Sequence, residues 1–358
     1  MRLEKVLKEM QKRQLTHLII NDPSSIDYLI NYKNNPGERM YLLLLSCDGH
    51  HKLFMNNLFY LDHEIDIEQV WYSDTDNYLQ LLADEFDGAC SIGIDKNFPA
   101  RFLLPLMNLV DECHFELGSE CVDRVRMIKD EKEQQLMIEA SKINDLVVDE
   151  VINICAKGNL TEEEVSKQLE GIYQKHGCVG NSFEPIVAYG KNGADNHHSG
   201  DDSRLKAGDS IVIDIGGLYK GYCSDMTRTV FYKEVSPKQK TVYELVLKAQ
   251  KAAEAMIKPG VRLCDIDKCA RDIIAEGGYT VEFNHRLGHF IGRDVHEWCD
   301  VSQNFDLEVQ EGMTFSIEPG VYLQGEFGVR IEDLVLVTKD GCKVLNSYPK
   351  DLRVIGND

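Results

Sequence analysis

Two pairs of acidic residues, each spaced evenly about a turn between apolar strands, constrain this chain more than any other feature. Glu318 and Glu332 stand at equal distances on either side of Gly325, a turn glycine between two apolar strand patterns. Asp214 and Asp225 flank the turn of an earlier hairpin pattern in the same way. Residues opposite each other in an antiparallel pair share a face, with Cβ atoms about 5 Å apart. Each hairpin is therefore predicted to present a pair of carboxylates.

The acids interrupt strands that are otherwise apolar, in Ile211–Ile215, Phe315–Glu318 and Ile331–Val335. Two negative charges about 4 Å apart repel by about 4 kcal/mol at an effective dielectric of 20. A buried cluster of carboxylates must therefore be protonated or hold cations, and two divalent ions balance four carboxylates. Any one acid taken alone suits the solvent face of an amphipathic strand. Two symmetric acidic pairs favour a metal site.

A histidine-rich segment offers a candidate nitrogen ligand for the same metal site. His289 lies between glycines in His285–Gly292, with His285 and His296 as neighbours in sequence. A lone histidine is more often structural, but this setting favours a close-packed functional segment. Four carboxylates and one neutral imidazole form a mixed oxygen and nitrogen donor set, which suits manganese, cobalt, zinc or iron rather than metals that prefer thiolates.

The chain divides into two parts at a predicted boundary near Gly118–Lys129. Residues 1–125 alternate short helical and strand-like patterns, which indicates a small α/β domain. Residues 126–358 contain the acidic hairpins and form the second predicted domain. The predicted fold class is mixed α/β (α+β).

The second part carries helix start signals at regular places along the chain. Three capping-box patterns open predicted helices: Asp130 with Glu133, Thr161 with Glu164, and Ser236 with Gln239. A fourth helix is predicted from about Asp265 to Glu276. Two helices followed by a hairpin thus occur twice, and the acids of the second hairpin follow those of the first at nearly equal separations. This order indicates a duplicated half.

Composition limits the classes of partner and the compartment. The formal net charge of −21 argues against nucleic-acid and anionic membrane partners. The N-terminus lacks the pattern of a signal peptide, and the longest apolar run, near Tyr41–Leu45, is too short to span a bilayer. Eleven cysteines without a C-x-x-C pair predict reduced thiols in the cytoplasm rather than a disulfide framework or zinc finger.

Six segments carry a resemblance to a known family: IDIGG, YCSDMTRT, HRLGHFIG, VHE, FSIEPG and VRIEDLVLV. They resemble the proline-specific branch of the pita-bread metallopeptidases, namely the prolidases and aminopeptidases P. The resemblance implies a catalytic pita-bread domain with duplicated helix–hairpin halves over residues 126–358. It also implies a noncatalytic N-terminal α/β domain over residues 1–125, and a homodimer.

The resemblance implies a role for each of the five ligands. Asp214 would hold one metal, Asp225 and Glu332 would bridge two metals, and His289 and Glu318 would complete the second. A hydroxide bridging the two divalent ions would be the nucleophile, and Glu318 could accept its proton. Mn²⁺ is the favoured ion, with Co²⁺, Zn²⁺ and Fe²⁺ as alternatives.

The resemblance also assigns residues around the metals. His197 matches the family's active-site histidine, with His198 as the runner-up. His296 would donate a hydrogen bond to the oxyanion of the tetrahedral intermediate. His285 could bind the far end of the substrate, and Arg330 could support the acidic site by ion pairing. For His285 and Arg330, a purely structural role is an equal alternative.

The predicted function is metal-dependent hydrolysis of the bond between an N-terminal residue and proline, with small Xaa-Pro dipeptides as the favoured substrates. The alternatives are an aminopeptidase P acting on longer peptides, a noncatalytic or creatinase-like binding relative, and a structural α/β protein with acidic strands. Methionine aminopeptidases share the ligands but usually lack so large an N-terminal domain. Departures from the family at Phe290, Trp298–Cys299 and Asn196 are expected to flank the substrate site and affect substrate choice.

Overall fold

The computed structural model describes residues 2–357. The chain forms two compact units, Met1–Arg126 and Met127–Asp358, and each is described by itself. Within the described residues, no helix combines the length and apolar character needed to cross a membrane.

The first unit is a six-stranded sheet with apolar clusters on both faces. Its elements are α1 (Arg2–Lys12), β1 (His17–Ile20), α2 (Pro23–Ile30), β2 (Leu42–Ser46), β3 (Lys52–Asn56), β4 (Glu68–Tyr72), α3 (Tyr78–Ala83), β5 (Ser91–Ile94), α4 (Ala100–Leu109), β6 (His114–Leu117) and α5 (Glu120–Arg126). The strand order is β4-β3-β2-β1-β5-β6. Leu43 and Leu45 of β2 pack in one cluster, whereas Leu42 and Leu44 pack in the other. Burial on both faces explains why β2 is continuously apolar.

The second unit contains four long helices and two larger sheets. Its elements are α6 (Glu131–Ala156), α7 (Glu162–Lys175), β7 (Ile186–Tyr189), a 3₁₀ turn (Gly190–Ala194), β8 (Ser210–Ile215), β9 (Leu218–Tyr219), β10 (Tyr222–Cys223), β11 (Met226–Tyr232), α8 (Pro237–Met256), α9 (Leu263–Glu276), β12 (Gly288–Phe290), β13 (Glu297–Val301), β14 (Thr314–Ile317), β15 (Gly320–Leu323), β16 (Phe327–Arg330), β17 (Asp333–Val337), β18 (Cys342–Val344) and β19 (Val354–Ile355). The sheet orders are β19-β11-β8-β7 and β13-β12-β14-β17-β18.

The helix starts follow the local sequence signals. All three predicted capping boxes form, with side chain to backbone hydrogen bonds in both directions. The fourth helix, α9, also lies where it was predicted. Helices α6 and α7 precede the sheet that holds the first hairpin, and α8 and α9 precede the sheet that holds the second. The predicted mixed α/β architecture with two helix–hairpin halves is confirmed.

The first hairpin has a different register from the one predicted. Asp214 pairs with Thr227, not with Asp225, which lies two residues earlier, just before β11. The turn is centred on Lys220 and Gly221, both with positive φ (47° and 82°), rather than one residue earlier. Positive φ at both central residues is the backbone geometry of tight hairpin turns. Because side chains alternate with period two, the offset of two residues still leaves both acids on one face.

The second hairpin follows the prediction. Ile317 pairs with Asp333 in the β14–β17 ladder, and the β15–β16 ladder continues in the same register beyond a gap. This register brings Glu318 and Glu332 opposite each other within the gap. Gly325 occupies the turn with φ of 78°, a conformation that costs glycine little.

Candidate metal centre

All five predicted ligands border one cavity of about 830 Å³ in the second unit. Asp214 lies near the end of β8 and His289 lies within β12, whereas Asp225, Glu318 and Glu332 lie in the gaps between paired ladders. At these gaps the β-ladder of each hairpin is interrupted. The acids of both hairpins converge on the cavity there.

The donor atoms lie within the range of metal ligands. His289 Nε2 is 3.5 Å from Asp225 Oδ2 and 3.5 Å from Glu318 Oε1. Donor atoms of Asp225, His289 and Glu332 all lie within 4.8 Å of one another. His289 Nδ1 faces the carbonyl oxygen of Phe290 at 3.2 Å, so Nδ1 carries the proton and the lone pair of Nε2 points at the acids.

Burial makes the negative charges of this cluster unstable without cations. Asp225 is 4% exposed and Glu332 is 1% exposed. Burial and the neighbouring carboxylates raise the pKa of both groups well above the usual range. Burial also raises the pKa of Glu318 to about 7, although His289 and Arg330 oppose the shift.

Several carboxylate oxygens at this site lack a hydrogen-bond donor. Among residues 2–357, no donor reaches Asp214 Oδ1, Asp225 Oδ1 or Glu332 Oε1, and all three atoms are buried. A buried charged oxygen without a partner is costly, whereas a bound cation would satisfy it. The residues present therefore fit divalent metal ions.

Two side chains form hydrogen bonds from one hairpin to an acid of the other. Thr227 Oγ1 donates to Glu332 Oε2 at 2.7 Å. Arg330 Nη2 donates to Asp214 Oδ2 at 2.6 Å, and Arg330 Nε donates to Thr227 Oγ1 at 3.1 Å. Both side chains are buried. Thr227 was not predicted, although its place two residues after Asp225, in the strand that follows that acid, was a usable signal.

A directed chain of hydrogen bonds begins at Arg330. Arg330 Nη1 donates to Tyr322 Oη at 3.0 Å, and the Tyr322 hydroxyl donates to His285 Nε2 at 2.9 Å. His285 Nδ1 donates in turn to the carbonyl oxygen of Arg286 at 2.7 Å. Burial, aided by the Arg330 charge, lowers the pKa of His285 to about 3, so this ring is neutral. Tyr322 was not predicted, although it lies four residues after Glu318.

The remaining predicted histidines lie beside the metal cluster. His296 packs edge-on against His289 with ring centroids 4.4 Å apart, and burial lowers its pKa to about 4. His197 and His296 both line the cavity. His198 also borders the cavity, but its Nε2 lies 2.6 Å from Oε2 of Glu162.

The departures from the family lie in different environments. Phe290 is fully buried against Phe315, because it points to the opposite face of β12 from His289. Trp298 packs against Phe305. Neither side chain borders the cavity. Asn196 does line the cavity.

Comparisons with known proteins agree with this arrangement. Residues 135–339 match the model of metallopeptidase family M24, and residues 2–128 match that of the creatinase/prolidase N-terminal domain. The chain is 35% identical to a putative dipeptidase, YkvY, of Bacillus subtilis, with 99% of each chain covered. It is 34% identical to a Xaa-Pro dipeptidase of Pyrococcus horikoshii, with 98% of each covered.

A solved structure matches the whole architecture. A crystal structure of prolidase from Thermococcus sibiricus aligns with a TM-score of 0.93 at 32% identity, covering 99% of this chain and 98% of that one. The predicted pita-bread fold of the C-terminal part is thereby confirmed. On the family match and the extent of these similarities, the chain belongs to metallopeptidase family M24.

Proposed function

We propose that this protein is a metal-dependent Xaa-Pro dipeptidase, which hydrolyses the peptide bond between an N-terminal residue and proline. The observation that carries the proposal is the convergence of four acids and His289 on one cavity, with three buried carboxylate oxygens that no donor within residues 2–357 reaches. Similarity to a Xaa-Pro dipeptidase and to a prolidase over nearly the full length supports the choice of substrate.

Two divalent ions would be held by Asp214, Asp225, His289, Glu318 and Glu332. The oxygen and nitrogen donors suit Mn²⁺, which we favour, and also Co²⁺, Zn²⁺ or Fe²⁺. Ions bound there would supply Lewis acidity, which lowers the pKa of water and polarises a carbonyl group.

The protein's own groups would orient the substrate and move protons. His296 is neutral at physiological pH because burial lowers its pKa to about 4, so its N–H can donate to a developing oxyanion. Glu318, which borders the cavity with its Oε1 3.5 Å from His289 Nε2, would accept a proton from the attacking water. His197 would contact the substrate from the rim of the cavity. Arg330 would hold Asp214 by its hydrogen bond. His285 would hold the Tyr322 hydroxyl, which in turn accepts a hydrogen bond from Arg330.

A bond to proline needs a site of this kind. The proline nitrogen carries no hydrogen in the peptide, so a peptidase that depends on that N–H as a donor cannot use it. A cavity of about 830 Å³ is within the usual range for a small ligand. We therefore propose small peptides with proline at the second position as substrates, and dipeptides in particular.

We also propose the roles of the two domains, the cellular location and the oligomeric state. Residues 126–358 would form the catalytic domain and residues 1–125 a noncatalytic domain. The eleven cysteines of the chain are free, which supports the cytoplasm as its location. We further propose a homodimer, which light scattering coupled to size-exclusion chromatography would test by giving twice the 40.7 kDa chain mass.

The decisive experiment removes the metal and restores Mn²⁺, Co²⁺ or Zn²⁺ separately, with metal content measured by mass spectrometry. Xaa-Pro dipeptides, Xaa-Pro-Xaa tripeptides and Xaa-Ala dipeptides are then assayed side by side. We expect cleavage of the Xaa-Pro dipeptides alone, and only with metal present. Cleavage of the tripeptides would indicate an aminopeptidase P. A metal-loaded protein that cleaves none of these peptides would overturn the proposal.

A further inference from the structure

A second cluster, built around one buried carboxylate, reaches the metal cavity through His198. Glu162, the first residue of α7, is 0% exposed. Its Oε1 accepts from the backbone N–H of Tyr189 at 2.6 Å, and its Oε2 accepts from that of Asp201 at 3.1 Å. The side-chain amide of Asn192 donates to both oxygens, at 3.0 and 3.2 Å. All of these donors belong to one segment, residues 189–203, which starts at the last residue of β7, includes the 3₁₀ turn and is called the loop below.

The cluster is a clamp on this loop rather than a metal site. Glu162, His198 and Asp201 each offer a donor atom within 4.8 Å of the others. However, both oxygens of Glu162 already accept N–H groups, including His198 Nε2 at 2.6 Å. Asp201 Oδ1 likewise accepts from the backbone N–H of Ser203 at 2.7 Å. A cation bound here would have to displace these donors.

The clamp holds the loop on both sides of His197. Asn192 precedes His197 in the sequence, and His198 and Asp201 follow it. The backbone adds two more contacts, since the N–H groups of Glu162 and Glu163 donate to loop carbonyls at 3.3 and 3.1 Å. Between these fixed points, His197 lines the metal cavity.

The opposite side of the loop rests on the second acidic hairpin. Gln324 Nε2 donates to the carbonyl oxygen of Ala194 at 2.7 Å. A Cβ atom built on Gly328 would lie 1.7 Å from the carbonyl oxygen of Gly193, so the two backbones are in contact. The loop is thus held between α7 and the strand that leads to Arg330.

We propose that Glu162 is a positioning residue that fixes His197 at the metal cavity through the clamped loop. The inference rests on the proposed function for its effect on catalysis. Hydrogen bonds to a charged acceptor are roughly twice as strong as those between neutral groups, which suits a carboxylate with several N–H donors. Small displacements of a catalytic group cost rate steeply, by about 10²-fold for an error of 1 Å.

The test is a double-mutant cycle between Glu162→Gln and His197→Ala. The glutamine keeps the shape but turns an NH₂ group towards N–H donors. In the natural background we expect kcat/KM for a Xaa-Pro dipeptide to fall about 10- to 100-fold, with metal content unchanged. In the His197→Ala background, Glu162→Gln should change kcat/KM by less than about 2-fold, because the group that it positions is gone. Equal losses in both backgrounds, or no loss in the natural one, would overturn the proposal.

Glu163→Gln is the matched control. Glu163 is the next residue of α7, and its half-exposed side chain pairs with Lys167. This variant should keep the activity of the natural protein. If Glu162→Gln does not fold, Asn192→Ala replaces it in the cycle, since it removes donors to both oxygens without changing the buried charge. We expect Asn192→Ala to give a smaller loss that is again absent when His197 is alanine, and a loss of equal size there contradicts the proposal.

Hydrogen exchange tests the clamp without relying on activity. Peptides that cover residues 189–203 should exchange about 10-fold faster in Glu162→Gln than in Glu163→Gln, because glutamine keeps only one acceptor oxygen and the amide of either Tyr189 or Asp201 loses its partner. If the natural protein cleaves no Xaa-Pro peptide but this difference appears, the proposed function fails while the clamp stands. Unchanged exchange in the loop would overturn the clamp itself.

Discussion

The two acidic hairpins share a plan but differ in register. In the second, Glu318 and Glu332 lie opposite each other across a gap between two ladders. In the first, Asp214 lies opposite Thr227, and Asp225 is its diagonal neighbour. A register shift of two residues keeps both acids of a hairpin on the face that borders the cavity. A shift of one residue would turn an acid to the opposite face, because side chains alternate along a strand.

A side chain of each hairpin also donates a hydrogen bond to an acid of the other hairpin. Thr227 from the first hairpin donates to Glu332 of the second, and Arg330 from the second donates to Asp214 of the first. Arg228 and Asp333 form a further contact between the hairpins, a buried ion pair at 2.7 Å. Each hairpin therefore supports one acid of the other.

The largest predicted effect comes from removing one acid from each hairpin. We expect Asp225→Asn and Glu332→Gln each to lower kcat/KM by at least about 10³-fold, because the Lewis acidity of the metals contributes several kcal/mol. Both variants should also bind less metal, as measured by mass spectrometry. If the two hairpins contribute equally to metal binding, Asp225→Asn and Glu332→Gln will lower kcat/KM by similar factors. Full metal content with more than half of the activity in either variant would contradict the assignment.

Glu326→Gln provides the control for these two variants. Glu326 lies in the turn region of the second hairpin, with its side chain 53% exposed and paired with Lys238. Losing one exposed carboxylate there should leave kcat/KM and metal content within about 2-fold of the natural protein, since exposed ion pairs contribute little.

The next effect tests the contact that the second hairpin makes to the first. Arg330→Met keeps much of the buried side-chain volume but leaves Asp214 Oδ2 without its charged donor. We expect metal affinity or activity to fall about 10- to 100-fold, the usual consequence of losing a group that orients a ligand. Titration of the metal-free protein with Mn²⁺ measures the affinity. Arg330→Met with natural affinity would show that the first hairpin holds Asp214 unaided.

The reciprocal contact should matter less, because it involves a neutral donor. Thr227→Val keeps the shape but removes the hydroxyl between Glu332 and Arg330, and we expect about a 10-fold loss of metal affinity. Thr227→Ser retains the hydroxyl and should stay near the natural value. If serine and valine have the same effect, the threonine acts by packing rather than by hydrogen bonding.

The smallest effects concern the two turns. Lys220 adopts a positive φ of 47°, which costs a residue other than glycine about 1 kcal/mol, so Lys220→Gly should stabilise the protein by about 0.5 kcal/mol. Gly325→Ala should destabilise it by about 1 kcal/mol for the same reason. Thermal unfolding followed by calorimetry measures both. Shifts of the same sign in the two variants would contradict this difference between the turns.

Much of the fold follows from signals within a few residues. The capping boxes at Asp130, Thr161 and Ser236 were predictable because each joins residues three positions apart. The turn at Gly325 was predictable because glycine is the residue that most readily adopts the positive φ of a tight turn. The turn at Lys220 and Gly221 was misplaced by one residue, because the first hairpin had been centred by assuming that its two acids face each other.

The sequence by itself determined which groups can bind metal: four acids within apolar strands, and a histidine between glycines. It also determined the face of each strand, because side-chain direction alternates along the chain. Only the tertiary structure decided which acids meet, that Thr227 and Arg330 cross between the hairpins, and that Glu162 fastens the loop of His197. Those contacts join residues far apart in sequence. They depend on how the sheets and α7 pack, which no local pattern specifies.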